Sequence, residues 1–405
     1  MSDEKINLSR RKVLGGLVTL GAAGAASGAG TFALFSDQES STNNTVQSGT
    51  LDLTDPTTTM DASVTALAPG KSTSGSVTLT NGGSLTADHL EIGVASISNS
   101  DGDTSKPDGS GSSDKSASDV VDHLYVDELS YGTGGVANMV PTVQLPGAYT
   151  YDFGSGADIA FETVTASEAP ESDSAPSGDI LHISSEANTG KYAHSMVDVS
   201  EQALTLDDLN NGTFSYDYYA TTENTVKAPD EVKIVVEDTD GSVRFLYQHR
   251  GDPEDTTSTG WTTRDVSSDL AEGDLASNAN NWGEVDMATG STSSLGDSPR
   301  PEYGDATVLL VGVGAANTNG SVDVRPDLYY GDLQVGSETH ALPSTPATLT
   351  DLSNTVVDSL AAPGDGTDFA FTLRLDPEVG NAYQGEGIDL SFAFGLAQQA
   401  GQDVL

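Results

Sequence analysis

Five segments of this chain, residues 76–80, 90–94, 125–129, 369–375 and 388–394, alternate apolar and polar side chains with a period of two. A strand points successive side chains to opposite faces, so each segment offers one face to a core and one to water. That pattern restricts the chain to antiparallel sheets packed on one side, as in a sandwich or jelly roll. Helical spacing is confined to two short stretches, 118–124 and 348–360. In the second, Leu349, Leu352, Val356, Val357 and Leu360 fall on one helical stripe. Seven more strand segments lie in the middle of the chain: 149–153, 179–183, 212–218, 232–236, 243–247, 307–313 and 328–335. They equip residues 137–342 to bury a core of their own. The expected fold is all-β: a discontinuous jelly-roll sandwich from 34–136 and 343–405, with a second β-sandwich, 137–342, inserted in it.

Charge narrows the function. Sixteen Lys+Arg stand against 61 Asp+Glu, a net charge of −45. Nucleic acid and anionic membrane surfaces, which recruit Lys and Arg, are therefore excluded as partners. The acids are scattered and only 8 residues are lysine. Such a chain stays soluble in high salt, where screening reduces its self-repulsion, as in a salt-in halophile. Cation binding is the competing explanation of the acidity. In the loop 98–118, Asp101, Asp103 and Asp108 supply hard oxygen ligands of the kind Ca²⁺ takes, without the closing bidentate Glu of a helix–loop–helix calcium site.

Several chemistries are ruled out. With no Cys, disulfides, thiolate zinc sites and cysteine nucleophiles are impossible. His89, His123, His182, His194, His249 and His340 are dispersed, with no ligand-type spacing, and each reads as an ordinary strand or loop residue. No cluster singles out one carboxylate pair for glycoside hydrolysis. Gly312-Val313-Gly314 follows a strand but does not continue into a phosphate-binding fingerprint. No enzymatic activity and no cofactor are expected, Ca²⁺ being the one ion the sequence suits.

Arg10 and Arg11 precede a Gly/Ala-rich apolar run, 13–30, the pattern of a twin-arginine-type export signal spanning 1–33 and cleaved after Ala33. Left uncleaved, the run would be the chain's only membrane contact. The expected location is extracellular, at the cell surface. Asn43, Asn211 and Asn319 head Asn-x-Ser/Thr acceptor sequences for N-glycosylation.

The order of motifs downstream of the signal resembles a family. Phe35-Ser36-Asp37, Gly49-Thr50-Leu51-Asp52-Leu53, Leu67-Ala68-Pro69-Gly70-Lys71 and the strand–turn–strand of 77–85 around Asn81-Gly82 are followed, far along the chain, by Asn381-Ala382-Tyr383-Gln384-Gly385 and the alternating run 388–394. Together these are similar to the TasA/camelysin family of secreted biofilm-matrix fibre subunits, over roughly 31–132 and 348–399. The twin-arginine signal and the long middle segment depart from it. The resemblance implies that the N-terminal segment of one mature subunit adds a strand to the next, giving a filament of self-associated copies. Strand addition satisfies an open sheet edge, and head-to-tail contacts of this kind do not close. Leu34, Phe35, Val46, Leu51 and Leu53 would be the donor positions, although 50–53 reads better as the first strand of the subunit's own sheet.

The insert closes on an Asp-aromatic pair followed by a Leu-x-Val-Gly strand, which loosely resembles the last strand of lectin-like and carbohydrate-binding jelly rolls. Trp261 and Trp282 both lie in its polar loops. They are either rings for a sugar face or plugs of the sandwich core. Two functions follow: a filament subunit whose insert is displayed for adhesion to glycans or neighbouring filaments, or a monomeric carbohydrate-binding surface protein. Without residues 1–33 the charge becomes 12 − 59 = −47, so filament assembly is expected to need high salt or divalent cations.

Overall fold

The computed structural model describes residues 53–405 apart from 55–58, 65–66, 100–115, 133–144, 153–155, 190, 227–230, 251–256, 271–279, 287–291, 316–324, 365, 380–382 and 384–385. The first strands are β1 (Leu53–Thr54), β2 (Thr59–Val64), β3 (Ser72–Asn81), β4 (His89–Asn99) and β5 (Leu124–Tyr131). The middle of the chain forms β6 (Gly147–Asp152), β7 (Ala160–Thr165), β8 (Asp179–Ser184), β9 (Lys191–Asp198), β10 (Phe214–Ala220), β11 (Glu231–Glu237) and β12 (Val243–Arg250). It continues with β13 (Thr262–Asp265), β14 (Asn280–Asp286), β15 (Thr292–Gly296), β16 (Thr307–Ala315), β17 (Asp327–Tyr330), β18 (Leu333–Val335) and β19 (Glu338–His340). The last strands are β20 (Val357–Ala361), β21 (Thr367–Leu375) and β22 (Ile388–Ala397).

The fold is all-β. Sheets ordered β1-β3-β21-β5 and β2-β22-β4-β20 make the first sandwich, and successive strands alternate between them, which is jelly-roll winding. The period-two segments supply its core: Phe369 packs against Phe392 and Phe394 with ring centroids 5.1 and 5.2 Å apart. The strands from β6 to β19 build two seven-stranded sheets, β15-β14-β12-β11-β16-β9-β6 and β19-β18-β10-β17-β8-β7, with β13 beside β10. Their shared interior is a separate apolar cluster holding Tyr216, Trp282 and Tyr330. Arg264 is buried inside it and bonds the Tyr216 hydroxyl at 3.1 Å and the Asp269 carboxylate at 2.9 Å. Burial disfavours its charge, but the facing Tyr216 and Asp269 hold its pKa above the usual guanidinium value.

The two sandwiches touch. Met196, Val243, Phe245, Val285 and Leu310 belong to the same apolar cluster as the first sandwich's core. Across the joint the Ser195 hydroxyl donates to the Pro343 carbonyl at 2.7 Å, and the Ala347 amide to the Tyr149 hydroxyl at 3.0 Å.

Two expectations need correction. The helical stripe at 348–360 is helical only over Leu349–Ser353, where Thr348 and Asp351 form a capping box, and then becomes β20. Beyond Asn354 the β-branched run Thr355-Val356-Val357 favours strand, and pairing with β4 decides it. The strand read over 328–335 is two strands, broken where the Gly331 amide bonds the Asp217 carbonyl at 2.8 Å.

Candidate functional site

Three places gather functional side chains. The first is an edge. β3 is ten residues long, yet among the described residues its outer side is paired only by β1, at Leu53↔Asn81 and Thr54↔Thr80. Its other side is fully used by β21, from Arg374↔Ser72 to Thr367↔Leu79. Along the open stretch Ser72, Ser74, Ser76 and Thr78 are exposed, while Thr73, Gly75 and Val77 are half-buried. Beneath them the core is thin: Leu53, Met60 and Val77 pack against it only partly covered. A Cβ on Gly75 would lie 2.6 Å from the Phe371 ring, so glycine lets that ring reach the edge. Leu53 is thus placed in the subunit's own sheet. Leu34, Phe35, Val46 and Leu51 lie outside the described residues, as do Arg10, Arg11, Ala33, Asn43, Asp101, Asp103, Asp108 and Asn319.

The second is an aromatic row on the outer face of the β10 sheet. Strand register sets Glu162, His182, Tyr329 and Tyr219 side by side on four neighbouring strands. The Tyr329 ring stacks on His182 at 4.0 Å and 8°. Tyr218↔Thr262 pairing on the far side of β10 brings Trp261 next to Tyr219, with ring centroids 5.8 Å apart. Tyr329, Tyr219 and Trp261 together span about two strand spacings, roughly 10 Å, and all three are half-buried. The Trp261 indole donates to the Pro170 carbonyl at 2.9 Å, which fixes its ring. At the other end His182 Nε2 lies 2.7 Å from Asp327, whose carboxylate also accepts from the Thr221 hydroxyl. Burial raises the Asp327 pKa, but the hydrogen bonds from His182 and Thr221 outweigh it and hold the carboxyl below its usual range.

Trp282 is not part of this face. It is 1 % exposed in the insert's core, with its indole donating to the Asp269 carbonyl at 3.3 Å, so it is the plug of the sandwich and not a sugar-facing ring. Asn211 is exposed at the end of the helix Leu206–Asn211, and its amide donates to the Asp207 carbonyl at 2.9 Å.

The third is a buried polar cluster that sequence spacing missed. His89 and Glu91, two apart on β4, point to the same outer face of the first sandwich, and Asp358 of β20 joins them. Their ligand atoms lie within 4.8 Å of one another. His89 Nδ1 is 3.1 Å from the Asp88 carboxylate. His89 Nε2 is buried and makes no hydrogen bond, with carboxylate oxygens of Asp358 and Glu91 at 3.3 and 3.7 Å. The Glu91 carboxylate accepts from the backbone amides of Val404 at 3.0 Å and Leu405 at 2.8 Å. Burial raises the pKa of both Glu91 and Asp358.

Residues 9–131 match a protein family described as "Camelysin metallo-endopeptidase". That part of the chain is similar to the camelysin family. The matched span runs from Ser9, just before Arg10 and Arg11, to Tyr131 at the end of β5 and takes in the open edge of β3 and the residues His89 and Glu91. No curated protein matches the chain. Among solved structures, the family 11 carbohydrate-binding module of the cellulosomal cellulase Lic26A-Cel5E of Clostridium thermocellum is similar at 14% identity and a TM-score of 0.25, over 48% of this chain and 90% of that one. The same kind of module from Clostridium thermocellum, in complex with a β-1,3-1,4-mixed-linked tetrasaccharide, is similar at 11% identity and a TM-score of 0.26, again over 48% and 90%. The camelysin description implies a metal ion. Among the described residues the His89–Glu91–Asp358 group fits one, because an imidazole nitrogen without a hydrogen bond faces two carboxylates.

Proposed function

We propose that the chain is an exported structural subunit of extracellular filaments in a biofilm matrix. In this proposal the N-terminal segment of one copy, anchored by Leu34 and Phe35, pairs with the open edge of β3 in the next, and the inserted sandwich is carried outward for adhesion. The observation that carries it is that edge: the outer side of eight residues of β3, 72–79, has no partner strand among the described residues, over a core whose edge members Met60 and Val77 are only half covered. An added strand would satisfy the free backbone groups and complete that coverage. The camelysin-family match over the same strands supports it. The test is to delete residues 34–44 and image the purified chain by negative stain in molar salt. Loss of filaments with an unchanged melting temperature is expected, and filaments persisting unchanged would sink strand donation.

The aromatic row favours a second function, a monomeric glycan-binding surface protein. Tyr329, Tyr219 and Trp261 present ring faces beside Asp217 and Asp327, the composition that stacks on a pyranose and bonds its hydroxyls. A glycan array on the full chain decides between the two: binding lost in Trp261→Ala, without filaments from the parent chain under any salt condition, selects the monomeric binder.

A further inference from the structure

The His89 cluster sits where three parts of the chain meet. Residues 401–405 lie across the outer face of the β22–β4 pair, made possible by Gly395, whose Cβ would come 2.5 Å from the Val404 side chain. Gly395 is the register partner of Glu91, so the segment covers that carboxylate and delivers two amides to it. Gly401, at φ +68°, packs against Gly241, at φ +86°, in the β11–β12 turn of the insert. From the same hairpin the Val243 amide donates to the Ser359 hydroxyl at 3.3 Å, next to Asp358.

In this enclosure the electrostatics are unbalanced. Asp88, being a carboxylate, accepts from His89 Nδ1, and this turns Nε2 toward the rest of the cluster. Nε2 then faces the oxygens of Glu91 and Asp358. One buried imidazole nitrogen without a hydrogen bond thus lies among carboxylate oxygens that the Val404, Leu405 and Ser359 amides hold in place, and a bound cation would give that nitrogen a partner. A carboxylate that orients a histidine through Nδ1 while Nε2 ligates is the usual outer-shell partner of protein zinc.

We propose that His89 Nε2, Glu91 and Asp358 bind one divalent transition-metal ion of the zinc class, oriented by Asp88, and that this ion clasps residues 401–405 and the insert to the first sandwich. An imidazole with two carboxylates suits zinc, whereas Ca²⁺ selects oxygen ligands alone. Tetrahedral zinc with ligand bonds of about 2 Å sets its ligands roughly 3.5 Å apart, so the group closes slightly on binding. The clasp does not depend on filament formation.

The test titrates the full chain with ZnCl₂ by calorimetry in molar NaCl, where a Debye length of about 3 Å suppresses loose binding to the scattered acids. One saturable site per chain is expected, with a rise in melting temperature and slower exchange of the Val404 and Leu405 amides. His89→Gln should weaken binding about 100-fold or more, and Asp88→Asn, which only orients, about 10- to 100-fold. Both variants are first checked for an unchanged melt without metal. Should either fail that check, the wild-type chain decides through His89 side-chain ¹⁵N resonances, where zinc must shift Nε2 and leave Nδ1 protonated. The proposal is overturned by the absence of saturable zinc binding, by wild-type affinity in a folded His89→Gln, by an unmoved Nε2 resonance, or by Ca²⁺ displacing zinc at equal concentration.

Discussion

The chain holds two sandwiches built on opposite terms. The inserted one is sealed: Trp282, Tyr216 and Tyr330 are fully buried, Arg264 is tied to Asp269 and Tyr216 inside, and its outer aromatic row is available without the core being disturbed. Among the described residues the first one is unfinished at one side, where β3 outruns the two-residue β1 and the apolar residues beneath stay half covered. A sheet closed on its own resources can display a face. A sheet with a long open edge is completed by another strand or hazards aggregation. In the proposed function, sealing and openness within one chain would divide the labour between presenting a surface and joining copies.

The contrast can be broken from its strong side first. Trp282→Ala should cost the insert about 3–5 kcal/mol through the cavity it leaves, read as a fall in melting temperature with Trp261 as the remaining fluorescent reporter. A loss below about 1 kcal/mol would show that the insert is not sealed around that ring. Next is Asp327→Asn, expected to cost about 1–3 kcal/mol because His182 and Thr221 lose a charged acceptor. The Asp327 carboxyl is held below its unfolded value, so its contribution is complete above an unfolded pKa of about 3.9 and is lost as pH falls through the lower folded value. Melting curves taken downward from pH 5 should therefore converge for parent and variant in strong acid; a constant gap would exclude the carboxylate as its source.

Smaller effects test what each sandwich is for. Tyr219→Ala removes the ring between Tyr329 and Trp261 and should weaken glycan binding about tenfold, the equivalent of one aromatic contact near 1.4 kcal/mol, with little change in melting. Val77→Asp, at the half-covered edge, should shift monomer stability by about 1 kcal/mol or less and yet abolish filaments seen by electron microscopy. Filaments of normal yield from that variant would mean that copies join elsewhere.

Much of the first sandwich was legible because its strands face the core on one side only, and 369–375 or 388–394 show this in plain alternation. The insert was less so. β9 is buried on both faces, from Ala193 through Val197, because the first sandwich covers its outer side, and alternation vanishes where both faces are dry. β14, with Trp282, hid in a stretch of Asn, Gly and Asp whose polar side chains read as loop. The His89 cluster had no spacing to find: His89 and Glu91 share a strand, but Asp358 reaches them only after the whole insert has intervened. The aromatic row was half visible, since Trp261 stands out in sequence whereas Tyr219 and Tyr329 join it by strand register alone.

The placing of β21 and β22 has a kinetic consequence. Each is an interior strand of its sheet, β21 between β3 and β5 and β22 between β2 and β4, yet both are the last strands of the chain. During synthesis β2 to β5 emerge first and wait through the entire insert for their central partners, while the insert already holds every strand it needs. Closure of the first sandwich is thus a late, long-range and slow event. Throughout that wait its strands are open to pairing with other nascent copies.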